Sequence, residues 1–317
     1  MYSGASAVTP PPRQGERPPG RVAVIARSVL RERAVVVGLV IVVCLVAAAF
    51  AAPLAAAWLG HGPTQQFRDT ALSDMGLPVG PSRGFPFGAD DSGRDVLVRT
   101  LYGARLSLLI ALPATTLAMV IGTLIGLVAG YLGGAADRIL SQTIDVALSF
   151  PFIVTALSLI AFARGADGAS RIDPAWLVII VIALFSWTGF ARLVRGLTLE
   201  LRQQPFVEAA AMSGASRIRI LWREILPNIA PSVIVYWAIQ LPNNIIAEAT
   251  LSFLGVGVQA PTPSLGNMLA DAQRSSMYQV QPWFLLGPGI TLFLIVVGFN
   301  SLSSGLRDLL DPHRNQD

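Results

Sequence analysis

Six apolar runs, each near the length that a helix needs to cross about 30 Å of hydrocarbon, constrain this chain more than any motif in it. They lie at residues 34–58, 105–130, 140–163, 175–196, 228–253 and 284–306. Only 13% of the 317 residues are charged, against about 25% in a soluble domain, and 53% are hydrophobic. The sequence therefore predicts an all-α integral membrane protein with six transmembrane helices.

The first run ends in alanines that mimic a signal-peptidase site. It is longer than the roughly 7–15 residues of a signal-peptide core, so it reads as a retained anchor helix. Residues 1–33 join Pro10, Pro11, Pro12, Pro18 and Pro19 to six arginines, a tail that cannot build a core. Its last part, Arg21 to Arg33, reads as a basic helix on the membrane surface. Residues 59–104 form an extracytoplasmic loop with a lead-in helix, residues 105–306 the membrane core, and residues 307–317 a second tail.

An even number of spans places both termini on one side. The arginines decide which: the N-terminal tail, Arg138, the six from Arg192 to Arg223, Arg307 and Arg314 all fall on the face that the positive-inside rule assigns to the cytoplasm. The expected location is the bacterial inner membrane, multi-pass, with both termini cytoplasmic. The pI of 9.8 thus reflects topology. No basic patch with interleaved aromatics points to nucleic acid as a partner; lipid is the expected surroundings.

All 23 basic residues are arginine. Without a lysine there is no Walker A loop and no Schiff base, so the chain is not read as an enzyme and is not expected to hydrolyse ATP itself. Cys44 lies alone within the first run, and His61 and His313 lack companions at ligand spacing, so neither a metal site nor a resident cofactor is expected. The small residues of GTLIGLVAG, 122–130, predict close helix packing. No internal period or duplicated hydropathy pattern is present, which weighs against an inverted-repeat transporter.

Between the fourth and fifth runs lies EAAAMSGASRIRILWREILPN, residues 208–228. Pro205 suits the first position of a short helix, Gly214 permits the left-handed turn that stops it, and Ser216 can cap a second helix. In that second helix Ile218, Leu221, Trp222 and Ile225 recur at helical spacing and predict one apolar face. Pro227 is expected to end the pattern and redirect the chain into the next span. The segment reads as a two-helix elbow at the membrane face, either an interfacial marker or a docking surface.

Glu208, Ala209 and Ala210, then Gly214 after three intervening residues, then Pro227 after twelve more, the last of them Leu226, resemble the EAA loop of ABC-importer permeases. The family's pattern has isoleucine two places before Leu-Pro, where this chain has Glu224 with Ile225 beside it. The stretches FPFGADDSGRDVLVRTLYGARLSL (85–108), DRILSQTIDVALSFP (137–151) and EATLSFLGVGVQAPTPSLGNML (248–269) resemble the C-type permease subunits of dipeptide, oligopeptide and nickel importers. The resemblance covers roughly residues 85–311. It implies a type I ABC importer permease fold and a coupling loop at about 197–227 that docks on an ATPase. Glu208, Ala209, Ala210, Gly214, Leu226 and Pro227 are its coupling residues. It further implies a second homologous permease, one or two ABC ATPase subunits that carry the ATP and Mg, and an extracytoplasmic substrate-binding protein. Peptides are the expected cargo, since no histidine or cysteine ligands lie along the candidate pathway; nickel as cargo, or a self-contained ion-coupled secondary transporter or channel, are the alternatives.

Four polar residues of the fifth run have two readings. Gln240, Asn243, Asn244 and Glu248 either line a pathway or bond between helices. Asp145 reads as interfacial or paired to an arginine. Asp90, Asp91, Arg94 and Asp95 read as the acidic first turn of a helix rather than a cation site. The loop from Gly255 to Gln281 is too polar and too broken to cross, and is expected to face outside.

Overall fold

The computed structural model describes residues 33–164, 172–274, 277–279 and 281–310. The N-terminal tail, with its surface helix, lies outside the described residues except for Arg33, as do residues 311–317 of the second tail. Every apolar run is helical. Among the described residues there is no strand, only isolated bridges between Leu72 and Pro78 and between Ala89 and Asp95.

The first run divides into α1 (Arg33–Phe50) and α2 (Ala52–Leu59), bent by 54°. Pro53 lies at the joint, where its missing amide leaves a carbonyl of the preceding turn without a donor. After the one-turn α3 (Arg68–Ala71), α4 runs unbroken from Val96 to Leu132. The lead-in helix and the second span predicted separately are thus one helix. Its 37 residues extend about 55 Å, more than the hydrocarbon needs, so its first turns project beyond it. Asp95 caps α4 by accepting from the Val98 amide at 3.1 Å, as the acidic-first-turn reading expected.

The third run corrects the prediction of a continuous helix. It forms α5 (Gly134–Ser149) and α6 (Phe152–Arg164), bent by 86°. Phe150 precedes Pro151 and is forced to an extended ψ of 126°, which ends α5. Next come α7 (Pro174–Leu201), α8 (Pro205–Met212), α9 (Arg217–Ile220), a π-helical turn over Leu221–Ile225, α10 (Leu226–Phe253), α11 (Leu265–Arg274) and α12 (Trp283–Leu310). Among the described residues, four helices are long and apolar enough to cross alone: α4, α7, α10 with the turns before it, and α12. The two bent pairs raise the number of spans to as many as six.

The centre of the bundle is the seam between α4 and α7. Gly122, Gly126 and Gly130 recur every fourth residue on α4 and face Trp187, Phe190, Ala191, Val194, Arg195 and Thr198 of α7. A Cβ at Gly126 would stand 2.6 Å from the Ala191 carbonyl oxygen and 2.8 Å from Val194 Cβ. The glycines are there because two backbones approach too closely for any side chain, as GTLIGLVAG predicted. Leu127, Phe190, Ala191 and Val194 bury their side chains in this layer. Ile110, Ala114, Ile160, Val178 and Ile182 form a second layer toward the other end. α1 packs on α12, with Gly38 beside Ser301 and Gly298 beside Ile41.

Proline is tolerated inside α10 because a neighbour repairs the ladder. Pro242 cannot donate to the Ala238 carbonyl four residues back, and Ser303 Oγ on α12 donates to that oxygen instead, at 2.7 Å. At the α4 N-terminal end, charge holds the loop down. Asp90 is buried with Arg94 Nε at 2.6 Å and Arg99 Nε at 3.3 Å, and Arg99 Nη1 also donates to the carbonyls of Pro63 and Pro261. His61 Nδ1 lies 2.7 Å from Asp95 Oδ2, with its ring stacked on Phe85. Asp271 of α11 completes the cluster; burial pushes its carboxyl above the usual range and nearby Asp91 adds to the rise, against the pull of Arg94, Arg99 and Arg274.

Candidate functional site

Two features carry the candidate site, an elbow at one end of the bundle and a polar cavity between helices. The elbow is α8, a tight turn and α9. Pro205 opens α8, and Gly214 stands at φ +80° with open space around it, so the turn needs glycine for its backbone angle and not for room. Ser216 Oγ accepts from the Arg219 amide at 3.3 Å and starts α9. All three assignments agree with the sequence reading.

The predicted apolar face does not. Ile218 and Trp222 are 69% and 55% exposed, whereas Ile220 and Ile225 are buried. The π turn over Leu221–Ile225 is the reason: its hydrogen bonds span five residues, so Ile220 and Ile225, five apart, fall on one side and the 3.6-residue stripe is lost. The same wide turn corrects the role given to Pro227. The Leu226 amide donates to Leu221 O, the ladder is already displaced before the proline arrives, and the helical run continues into α10 as one candidate span, Arg217–Phe253.

The elbow is fastened to the central seam. Val207, Ile220 and Ile225 pack into the layer formed by Leu127, Phe190, Ala191 and Val194, with Ala210 and Leu226 partly buried against it. Arg202, just past α7, donates to the carbonyls of Gly130 and Tyr131 at 3.1 and 3.5 Å and so caps the end of α4. Arg195 on α7 holds Asp137 on α5 with two bonds of 2.5 and 2.9 Å. Arg192 pairs with Asp145 at 2.8 Å, both largely exposed, which is the paired one of the two readings given to Asp145. Glu208 and Ala209 point outward and Pro227 is exposed. Glu208 and Arg217 border a pocket of about 350 Å³ against Tyr131 and Arg202.

The second feature is a cavity of about 420 Å³ between α5, α6, α7 and α10. Gln240, Asn243 and Asn244 line it with Tyr236, Ser186 and Thr188, beside the rings of Phe150, Phe152 and Phe185. The 86° break at Phe150–Pro151 puts two of those rings at the wall. Asn244 bridges helices, donating to Thr115 Oγ1 at 2.8 Å and accepting from Ser186 Oγ at 2.9 Å. Asn243 is exposed, with its amide donating to Gln240 Oε1 at 3.3 Å.

Glu248 stands apart from these three. It is fully buried and absent from the cavity wall, with Oε2 accepting from Ser107 Oγ of α4 at 2.6 Å and Oε1 accepting from Ser252 Oγ at 2.8 Å. Sequence reasoning missed its partner because Ser107 lies 141 residues away. It also missed the buried Asp90–Arg99 pair and His61. The π turn left one weak signal, a Leu-Pro after a helical stripe.

Residues 122–316, most of the bundle, match the family described as binding-protein-dependent transport system inner membrane component. The chain belongs to this family of transport permeases. Among curated relatives, the dipeptide transport system permease protein DppC of Alkalihalophilus pseudofirmus is 36% identical over 288 residues, 90% of this chain and 88% of that protein. The glutathione transport system permease protein GsiD of Pectobacterium atrosepticum is 42% identical over 236 residues, covering 74% of this chain and 75% of that one. The oligopeptide transport system permease protein OppC of Haemophilus influenzae is 39% identical over 71% of this chain and 70% of that protein. A crystal form of the MetNI methionine ABC transporter, described as inward facing, shares the fold with a TM-score of 0.52 at 21% identity, covering 67% of this chain and 96% of that one. The permease fold is thus the type I importer fold that the resemblance implied. As a transport permease the chain is not itself an enzyme, and its apolar helices make it a multi-pass membrane protein.

Proposed function

We propose that this permease forms, with a second homologous permease, the membrane pathway for peptides delivered by an extracytoplasmic binding protein, and that the elbow couples the pathway to an ATPase carrying ATP and Mg. The observation that carries the reading is the way the elbow is built. Its inner face is locked into the α4–α7 seam, while Glu208, Ala209 and the Gly214 turn are presented bare. A push on α8 is therefore delivered to the rigid centre of the bundle, which suits rigid-body switching between two states. On this reading the elbow end is cytoplasmic and the Asp90–Arg99 end is outside.

Peptide cargo is supported by the relatives' names and by the chemistry of the cavity. Amides, hydroxyls and aromatic rings border it, groups that match a peptide backbone and its side chains without fixing a charge. Gln240, Asn243 and Asn244 are the proposed pathway residues; Glu248 ties α4 to α10 behind them. The test is uptake by proteoliposomes holding both permeases, the ATPase and the binding protein. Labelled di- and oligopeptides are expected to accumulate with ATP and nickel is not. Gly214→Trp is expected to abolish uptake and substrate-stimulated ATP hydrolysis while the protein still inserts. Uptake by this chain alone without ATP would sink the proposal.

A further inference from the structure

Arg105 belongs neither to the elbow nor to the polar cavity. It sits two turns into α4, half-buried, and among the described residues it has no carboxylate and no hydrogen-bond acceptor. Its Nε is buried and unpaired. Its guanidinium carbon lies over the Phe50 ring, 5.7 Å from the ring centroid. Among the described residues, every other arginine buried as deeply at this end has a partner: Arg94 and Arg99 share Asp90, and Arg164 donates to the carbonyls of Val256 and Gly257 at 2.6 and 2.7 Å. An unpaired guanidinium at a membrane helix is costly, and the ligand it fits best is a planar pair of anionic oxygens.

The surroundings specify which anion. Arg105 opens on a groove of about 170 Å³ lined by Tyr102, Leu106, Leu109, Thr262 and Pro263, almost wholly apolar. Directly below it on α4, the exposed positions Leu109, Pro113, Leu117, Val120, Leu124 and Val128 recur every three to four residues and form one apolar stripe. Phe50 is likewise the last of an exposed stripe on α1 that begins Val37, Val40, Val43 and contains no charge. Trp58, 84% exposed one bend further on, is the residue type that marks the headgroup level. A cation with free N–H groups at the top of an apolar track is the shape of a phospholipid, phosphate above and acyl chain below.

We infer that Arg105 and the groove beneath it bind a phospholipid, its phosphodiester on the guanidinium and one acyl chain along Leu106 and Leu109. The inference rests on α4 crossing the membrane and not on peptide as cargo. It is tested by native mass spectrometry of the intact transporter, purified in mild detergent and titrated with phosphatidylglycerol or phosphatidylethanolamine. A tightly held lipid adduct is expected, with occupancy about tenfold lower in Arg105→Gln, the loss of one charge-assisted pair. Arg105→Lys is expected to keep part of it, and Arg138→Gln, an exposed arginine at the other end of the bundle, all of it. Leu109→Trp, which fills the groove but keeps the charge, is expected to lose the adduct too, so the inference stays testable if Arg105→Gln fails to fold. An adduct unchanged in Arg105→Gln and Leu109→Trp overturns it, and would leave Arg105 to a carboxylate of the second permease. Equal loss in Arg138→Gln, or displacement by inorganic phosphate, overturns it as well.

Discussion

The seam between α4 and α7 and the elbow that follows α7 are neighbours along the chain, yet they are built to opposite rules. In the seam, three glycines are required because there is no space for a Cβ. In the elbow, Gly214 is required although nothing stands within 4 Å of where its Cβ would be. The first glycines serve close packing, the second a backbone angle, and only the first are sensitive to volume. The same contrast separates Ile220 and Ile225, which are sealed into the bundle, from Ile218 and Trp222, which are left outside. Stability resides in one set and, on the proposed function, coupling in the other.

That contrast breaks most visibly at Gly126. Gly126→Leu is expected to cost about 3 kcal/mol or more, because the side chain must force two helices apart, and to remove the protein from the monodisperse detergent fraction. A normal thermal unfolding profile for this variant would mean that the seam is looser than its distances imply. Glu248→Ala is next. It leaves the Ser107 and Ser252 hydroxyls without their acceptor in a dry site, at a cost of about 1–3 kcal/mol by thermal unfolding, whereas Glu248→Gln keeps an acceptor and should cost less. Unchanged stability in Glu248→Ala with altered transport would return the residue to the pathway.

The elbow should give the reverse pattern. Gly214→Trp is expected to cost only the left-handed strain of about 1–2 kcal/mol while transport is lost, separating the two readouts that Gly126→Leu loses together. Trp222→Ser is expected to stay within about 0.5 kcal/mol of the parent in stability, with coupled ATP hydrolysis reduced. The smallest effect is expected at Arg192→Ala. Its ion pair with Asp145 is largely exposed at both ends, so screened attraction leaves at most about 0.5 kcal/mol, and less at high salt.

The all-α membrane architecture, the glycine seam, the Asp95 cap, the Pro205 and Gly214 limits of α8 and the Ser216 cap of α9 were legible in the sequence. Each follows from a local rule, a length, a small-residue repeat, a capping side chain or a backbone angle, that needs no knowledge of distant residues. The 86° break at Pro151 was legible in principle, because a proline restricts the residue before it, but hydropathy averaged over a window passes over a single backbone angle.

Tertiary structure decided the rest. Whether Glu248 faces a cavity or a sealed site depends on Ser107, and whether Pro242 breaks α10 depends on Ser303, each on another helix. The π turn that reassigns the elbow's buried face is set by what Ile220 and Ile225 can reach in the seam. The sequence by itself determined where helices form and that they lie in a membrane, since apolar length and backbone stereochemistry act within one segment. Which polar side chains are satisfied, and which are left to a ligand, was decided only when the helices met, because a buried donor or acceptor takes its partner from whatever lies beside it in space.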